Sequence, residues 1–473
     1  MEPNDPAVAV ANGPAQPPQS APGLSRGHKV GLWIFLGVVI LFGVITELRS
    51  DFMRNKHTDL GVYLRGSYAI RAGTDLYKAT FRTWHYNYPP LLAILLTPFA
   101  LPPRGAPAGA WMAPFVVSVA LWYIFSVITL FIGVHVLANA LEARSDDWEI
   151  TRGGVGSRRW WALRMVPILI GLPAIGSTLS RGQVNLLLMM VLCLALAAAL
   201  YSRRWWAGIW IGIGVCVKVM PLFLLAFPAR RRDWRMLLGA GMAVLACQLA
   251  LPALVVGPAR AWRYNVELFN VLYHPAAVKK GKADRGGELV GTADNESILA
   301  IFHNEFDTPA RPGHPEHIND GVKAAWIILS GLLTLATLAP AWGAGGFTPE
   351  YALRDALVFS MLTLVMILVS PVCHMHYFVM AIPLIMVLCH MVWNQHNPKL
   401  EAAFLTFMAL YIVANTLPRL PTFYFMRPEG VVMYSHLALW AMGAWVLYFR
   451  PAWMKSVRPA SAAVARGVAA PAG

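Results

Sequence analysis

Several charged and amide side chains occur at the edges of long apolar segments, where groups that need water are uncommon. Arg181, Gln183 and Asn185 fall in one short stretch between two apolar runs. Guanidinium and amide groups so close together can bind phosphate oxygens or sugar hydroxyls, although the same residue types also cap helices. Lys218 lies inside an apolar segment, where a cation usually faces a cavity or an anion such as a lipid phosphate; snorkelling to the membrane surface is the alternative.

Two histidines form an H-x-H pair in the stretch 371–377. His374 and His376 can ligate a metal, stabilise an anion or cap a helix, but this spacing alone is a weak zinc signal and no carboxylate follows closely. We therefore favour an anion or substrate contact and predict neither a metal site nor a cofactor. Asn295 begins an Asn-Glu-Ser stretch that can cap a helix or enter a site. The five cysteines show no CxxC spacing, which argues against disulfides and a Cys-type zinc site.

Aromatic residues surround an early acidic residue. Asp59 and Tyr63 open an amphipathic stretch, and residues 84–90, which include Tyr88, read Trp-His-Tyr-Asn-Tyr-Pro-Pro. Such an aromatic cluster is typical of a membrane-interface belt and also of a platform on which a sugar ring stacks. The amphipathic stretch predicts a helix that lies in the interface plane rather than one that spans the membrane.

The composition excludes a soluble protein. Of the 473 residues 57% are hydrophobic and only 13% are charged, whereas soluble domains have about 25% charged residues. The formal net charge is +15. In an integral membrane protein this excess collects in cytoplasmic loops and meets anionic membrane lipid, so we predict no nucleic-acid partner.

Hydropathy predicts an all-α, polytopic membrane protein of about 11–12 transmembrane helices. The apolar segments are 30–47, 111–137, 163–179, 186–201, 206–228, 236–256, 322–343, 355–370, 377–393, 401–417 and 431–449. Basic clusters flank 206–228 on both sides, and the positive-inside rule places both in the cytoplasm. Both ends of the segment can lie there only if it is a helical hairpin, broken near Lys218 and Pro221; one kinked helix is the alternative. We expect disordered cytoplasmic residues 1–28, a transmembrane domain 29–450 and a cytoplasmic tail 451–473.

In this topology the polar motifs share one face of the membrane. Two large outer loops, 48–110 and 257–320, hold Asp59 and Asn295, and the Arg181 stretch and both histidines also fall outside. Transporters place their key polar residues near the midplane and treat the two faces alike. The one-sided arrangement therefore favours an enzyme that takes a substrate presented by lipid. A transporter or flippase of lipid-linked sugar and a non-catalytic membrane scaffold are the alternatives.

Short motifs follow the first apolar segment in a fixed order over about residues 30–450. They are Asp59-Leu-Gly-Val-Tyr63, Ala72-Gly-Thr-Asp-Leu-Tyr77, Tyr88-Pro-Pro90, Gly182-Gln-Val-Asn185, Lys218-x-x-Pro221, Asn295-x-Ser297 and Ser370-Pro371. This order resembles glycosyltransferase family 87, polyprenyl-phosphate-sugar-dependent mannosyltransferases of the GT-C superfamily. The resemblance implies a GT-C bundle whose outer loop carries interfacial helices. It also implies a polyprenyl-phosphate sugar donor, typically of mannose, and inverting transfer to a glycolipid or glycan hydroxyl at the outer face of a bacterial plasma membrane.

The resemblance also implies roles for particular residues. Such enzymes place a catalytic carboxylate in the first outer loop, and Asp59 matches that position as general base, with Asp51 the weaker candidate. The donor phosphate and sugar would contact Lys218, Arg181, Gln183, Asn185, His374, His376, Tyr63, Tyr88 and Asn295. Cys373-His374-Met375-His376 departs from the adjacent aromatic and histidine residues frequent in the family, which leaves the roles of the histidines open. A lipid-phosphate donor needs no nucleotide, in keeping with the absence of a Gly-rich phosphate loop from the sequence.

Overall fold

The computed structural model describes residues 26–48, 59–81, 84–103, 113–144, 156–277, 290, 292, 294–307, 318–341 and 351–454. Asp51 and most of both predicted tails lie outside these residues. The first helix begins at Arg26, before the predicted boundary at residue 29. Pro22 is the last proline before it, so no helix breaker separates Arg26 from the apolar run.

The described residues are almost entirely helical, which confirms the predicted all-α class. The helices are α1 (Arg26–Leu48), α2 (Asp59–Ala72), α3 (Pro90–Leu95), α4 (Phe115–Glu142), α5 (Arg158–Arg181), α6 (Asn185–Leu200), α7 (Arg204–Val217), α8 (Ala226–Arg230), α9 (Trp234–Val244), α10 (Leu251–Val256), α11 (Pro258–Ala277), α12 (Ile298–Phe306), α13 (Asp320–Leu338), α14 (Ala352–Leu368), α15 (Ile382–Trp393), α16 (Pro398–Thr416) and α17 (Val431–Phe449). Two-residue strands β1 (Thr80–Phe81) and β2 (Trp84–His85) pair antiparallel in the first loop, with Thr80 opposite His85.

Within the described ranges, seven helical segments are long and apolar enough to cross a membrane, which confirms a multi-pass protein. They are Phe115–Glu142, Arg158–Arg181, Trp234–Val256, Asp320–Leu338, Met375–Trp393, Pro398–Arg419 and Val431–Phe449. Four shorter apolar helices accompany them: Lys29–Ile45, Asn185–Leu200, Arg204–Val217 and Met220–Arg230. These segments coincide with predicted apolar runs to within about five residues, and the remaining run, 355–370, forms α14.

The segment around Lys218 is a helical hairpin, as its flanking basic clusters predict. α7 ends at Val217, and the backbone of Lys218 is extended, with φ −153° and ψ 128°. The chain then returns, because Arg204 at the start of α7 meets Asp233, Nε to Oδ2 3.7 Å. α7 and α9 consequently run parallel and close together, with Gly208 against the Met236 carbonyl. Proline at 221 and the small residues of α7 together permit this geometry.

α14 lies at the centre of the bundle, and every one of its residues except Arg354 is buried. It is fixed at one end by an ion pair between Asp355 and Arg231, 2.8 Å apart and both almost fully enclosed. A second buried pair, Arg164 with Glu142 at 2.6 Å, ties α5 to α4. Both pairs lie toward the ends of these helices that are remote from Arg181, so the two ends of the bundle differ in chemistry.

The first loop is more deeply buried than an amphipathic interfacial helix would be. In α2, Gly61 packs against the Phe81 ring, Gly66 packs against Tyr86, and the Leu64 carbonyl accepts a hydrogen bond from the Leu101 amide at 2.9 Å. Neighbouring loop residues therefore cover α2, which the spacing of its apolar residues alone does not indicate.

α11 has the more exposed apolar face. Trp262, Val266 and Phe269 recur every three or four residues along it and are exposed, the pattern of a helix that lies on a membrane surface.

Candidate active site

The turn between α5 and α6 lies against the first residues of α2. α5 ends at Arg181, and Gly182 closes it in the left-handed conformation with φ 63°. A Cβ atom on Gly182 would lie 2.8 Å from the Leu60 Cβ, so only glycine permits this approach. Leu60 follows Asp59, which begins α2 and is buried. The close packing therefore places the predicted base beside the turn that carries Arg181.

Tyr63 connects α2 to the same turn one helical turn after Asp59. Its hydroxyl donates a hydrogen bond to Gln183 Oε1 at 3.0 Å, and its ring stands edge-on to Tyr88 with the centroids 4.9 Å apart. Burial raises the pKa of Tyr63 well above its usual range, and the nearby Tyr88 and Asp59 raise it further. Three predicted site residues thus come together, because Tyr63 contacts Gln183 and Tyr88 one helical turn after Asp59.

Lys218 is enclosed rather than extended to the membrane surface, so the snorkelling alternative does not hold. Its Nζ donates a hydrogen bond to Asn185 Oδ1 at 3.1 Å. The ammonium also lies 3.7 Å from the ring centroid of Tyr377 and 5.8 Å from that of Tyr88. Amide and aromatic groups therefore hold this cation at the break in the hairpin, directly after the end of α7.

The two histidines meet the ends of α5 and α6. The backbone carbonyl of His376 accepts hydrogen bonds from Asn185 Nδ2 at 3.0 Å and from Thr178 Oγ1 at 3.1 Å. The His374 and His376 rings stack 5.4 Å apart. His376 is buried, and neither of its ring nitrogens has a hydrogen-bond partner among the described residues. In this part of the chain no group of three His, Cys, Asp or Glu side chains is arranged to hold a metal ion.

A polar cavity of about 210 Å³ opens beside these histidines. Its lining residues are Ser177, Ser180, Arg181, Asp294, Glu296, His374, Met375, His376, Pro418, Arg419, Arg427 and Val432. Arg427 pairs with Asp294 at 2.5 Å. Arg181 has no hydrogen bond or ion pair within the described ranges, and the buried Arg419 Nε has no hydrogen-bond partner there. Three arginines against two carboxylates leave an excess of positive charge, which suits an anion.

Asn295 lies beside this cavity and supports its wall. Its Nδ2 donates hydrogen bonds to the carbonyls of Val290 and Pro371, and its Oδ1 accepts from the Cys373 amide at 2.8 Å. Ser297 caps α12 by accepting a hydrogen bond from the Ala300 amide. The Asn-Glu-Ser stretch therefore caps a helix, and its asparagine anchors the segment that leads into the two histidines.

Sequence reasoning missed Glu296, Arg419 and Arg427 as site residues. Glu296 stands inside a motif that the sequence singled out, but nothing local distinguishes its side chain from that of Asn295. Arg419 and Arg427 lie between the predicted apolar segments 401–417 and 431–449. Because the last of these segments leads to the predicted cytoplasmic tail, the loop before it would lie outside, where the positive-inside rule expects few basic residues. Basic residues on this side of the membrane were the sequence feature that could have indicated a role in the site.

Comparison with known proteins shows which protein family this sequence matches. The sequence model of glycosyltransferase family 87 matches residues 86–371. A polyprenol-phosphate-mannose-dependent alpha-(1-2)-phosphatidylinositol mannoside mannosyltransferase of Mycobacterium tuberculosis is 26% identical over 393 residues, 78% of each chain. A polyprenol-phosphate-mannose-dependent alpha-(1-2)-phosphatidylinositol pentamannoside mannosyltransferase of Mycolicibacterium smegmatis is 28% identical, covering 70% of this chain and 69% of that protein. Among solved structures, ArnT from Cupriavidus metallidurans bound to undecaprenyl phosphate covers 90% of this chain and 79% of its own, with 14% identity and a TM-score of 0.39.

Proposed function

The chain belongs to glycosyltransferase family 87, and on that premise we propose that it transfers mannose from a polyprenyl-phosphate carrier to a hydroxyl of a glycolipid or glycan. Relatives that match more than two thirds of this chain are named as polyprenol-phosphate-mannose-dependent mannosyltransferases, which supports this donor. Their phosphatidylinositol mannoside acceptors support a glycolipid as the acceptor class.

One observation carries the proposal beyond family membership. The Gly182 turn packs against Leu60, the residue that follows Asp59, and Arg181 at the same turn lines the cavity. Glycosyl transfer from a lipid phosphate needs a base for the acceptor hydroxyl and positive charge for the departing phosphate. The presence of a carboxylate and of several arginines near one turn supports the assignment of these two roles to this region.

In the proposed reaction Asp59 is the general base. The acceptor oxygen attacks the anomeric carbon while Asp59 takes its proton, and the bond from that carbon to the phosphate oxygen breaks with inversion. Negative charge then builds on the phosphate, where fixed cations in a poorly solvated site stabilise it. We assign this role to Arg181 and Arg419 because they line the cavity, and to Lys218 because its ammonium lies near the ring of Tyr88. Gln183 and Asn295 act as positioning residues, because their side chains already bond within the protein.

The distribution of basic residues supports an active site on the outer face of the plasma membrane. α5 extends about 35 Å from Arg158 to Arg181 at the usual helical rise. Around the end remote from Arg181 are Arg144, Arg159, Arg164, Arg204 and Arg231. The positive-inside rule assigns that end to the cytoplasm. The Asp59 end would then face outward, where a lipid-linked donor meets its acceptor.

A transfer assay with the purified chain in lipid tests the proposed function. The protein is incubated with radiolabelled polyprenyl-phosphate mannose and a glycolipid acceptor pool, and GDP-mannose serves as the matched nucleotide donor. We expect a labelled glycoside from the lipid donor and none from the nucleotide. Movement of the lipid donor across a vesicle membrane without a new glycosidic bond would instead establish a flippase and overturn the proposal.

A further inference from the structure

We propose that Glu296 works as a protonated carboxyl that donates a hydrogen bond, and then its proton, to the departing lipid phosphate, so that donor binding takes up a proton. This inference rests on the proposed function, because it assigns the arginine-lined cavity to the donor phosphate. It adds an acid to a site in which Asp59 is the base.

The position of Glu296 is fixed and enclosed. Its side chain lines the cavity, and the residue is only 4% exposed. Its backbone amide donates to the Cys373 carbonyl at 2.6 Å, which ties it to the histidine-bearing segment. The buried Oε2 atom has no hydrogen-bond partner in the described parts of the chain. A buried carboxyl oxygen without a partner is costly, so a group that enters the cavity is expected to complete it.

The groups that face Glu296 come from several elements. Arg419 and Arg427 approach from the segment that joins α16 to α17, Asp294 from its own segment, and His374 and Cys373 from the segment before α15. Burial raises the pKa of Glu296 to about 7, against the lowering effect of the two arginines and of His374. Asp294 raises the pKa as well. The carboxyl therefore changes its charge near neutral pH in the absence of a ligand.

A phosphate bound in the same cavity favours the protonated form of Glu296. Like charges held close together favour the neutral form of one of them, so the bound anion raises the pKa of Glu296 further. An ionised carboxylate would repel the phosphate that Arg181 and Arg419 attract. A protonated carboxyl instead offers an O–H donor to a phosphate oxygen, and its second oxygen remains an acceptor. A glutamate is therefore compatible with an anion-binding site when its carboxyl is protonated.

In the same arrangement a protonated Glu296 can also transfer its proton to the departing phosphate. The donor phosphate is a diester with one negative charge, and it would leave as a dianion. As the bond from the anomeric carbon to oxygen breaks, the electron pair stays on the phosphate, and the Glu296 proton moves to a phosphate oxygen. Asp59 meanwhile takes the proton of the acceptor hydroxyl. The phosphate departs as a monoanion, and proton exchange with water restores both carboxyls, so atoms and charges balance.

Binding of polyprenyl-phosphate mannose to Asp59→Asn protein in lipid nanodiscs tests this inference, because turnover is then blocked and a diester does not titrate between about pH 6 and about pH 9. We expect the Kd to rise about tenfold per pH unit above about pH 7. Adding Glu296→Gln should abolish this slope, because the amide is neutral at every pH and still donates. Adding Glu305→Gln, an exposed glutamate in α12, should preserve it.

A slope that survives Glu296→Gln would assign the proton to another group and overturn the inference. Calorimetry of the Asp59→Asn protein in buffers of different ionisation enthalpy provides a readout that needs no change at residue 296. It should detect uptake of about one proton at about pH 8 and almost none at about pH 5.5. Zero uptake throughout would also overturn the inference while leaving the donor assignment intact. Absence of donor binding at every pH would instead reject the proposed function, and this inference with it.

Discussion

The hydroxyl of Tyr63 donates a hydrogen bond to Gln183 across 3.0 Å, and this bond joins the helix that begins at Asp59 to the turn that ends with Asn185. Tyr63 is completely buried, and 120 residues separate it from Gln183 in the chain. The bond therefore fixes two distant segments, one that begins with the proposed base and one that follows the proposed phosphate-binding Arg181.

Tyr63→Phe removes that bond and leaves the Gln183 oxygen without its donor. We expect a loss of about 1–3 kcal/mol in stability. If the bond aligns Asp59, kcat should fall about tenfold with little change in the donor KM, since the phosphate contacts stay intact. Steady-state kinetics and thermal unfolding in detergent measure both effects. Tyr68→Phe, on the half-buried side of α2, is the matched control; equal kinetics for the two variants would refute the alignment role.

Lys218→Met removes a cation but keeps much of the side-chain volume. We expect kcat/KM to fall about 10²-fold or more if Lys218 stabilises the phosphate, on the scale of losing one charge-stabilising group. Removal of a merely structural ammonium would lower the unfolding temperature and leave the kinetics of the remaining folded protein unchanged. Lys323→Met, at an exposed lysine in α13, provides the control for loss of charge.

Gly208→Ala tests the close packing of the hairpin on α9. A Cβ atom at residue 208 would lie 2.0 Å from the Met236 carbonyl oxygen, so the two helices would have to separate. We expect a loss of about 2 kcal/mol or more and a lower unfolding temperature. Gly241→Ala is the matched control, since nothing lies within 4 Å of its new methyl group. Equal stability of the two variants would refute the parallel packing of α7 and α9.

Substitutions of Arg231 and Asp355 should have coupled effects on stability. The two residues form an ion pair at the end of the bundle remote from the candidate site. Arg231→Met alone leaves the enclosed carboxylate of Asp355 without its main ion-pair partner, and we expect a loss of about 3–5 kcal/mol. Asp355→Leu in the same chain should restore much of it, because an apolar pair avoids the buried charge. A double variant as unstable as the single one would contradict this coupling. Thermal unfolding of the single and double variants measures it.

Much of the architecture could be predicted from the sequence because the membrane imposes local rules. Apolar runs fix where helices lie, and the basic clusters around residues 203 and 231 require the hairpin that the Arg204–Asp233 contact confirms. The gathering of Asp59, the Arg181 turn, Lys218 and the histidines at one end also follows from topology.

The details of the cavity could not be predicted because they depend on contacts between distant segments. Glu296 and Arg419 come from segments more than a hundred residues apart, and no periodicity or spacing relates them. The burial of α2 is similar, because residues such as Phe81 and Tyr86 cover a face that its own sequence leaves amphipathic. The one indication was local: arginines at 419 and 427 on the side where the membrane rule expects few.

Asp59→Asn is the most direct test of the central claim that this carboxylate is the base of a lipid-linked glycosyl transfer. Asparagine keeps the shape of aspartate and removes its basicity, and Asp320→Asn provides an exposed carboxylate control. We predict that single-turnover transfer falls about 10²–10⁴-fold while polyprenyl-phosphate mannose still binds. Product formed at the wild-type rate by the Asp59→Asn protein would contradict the account, and Asp51 would become the next candidate base.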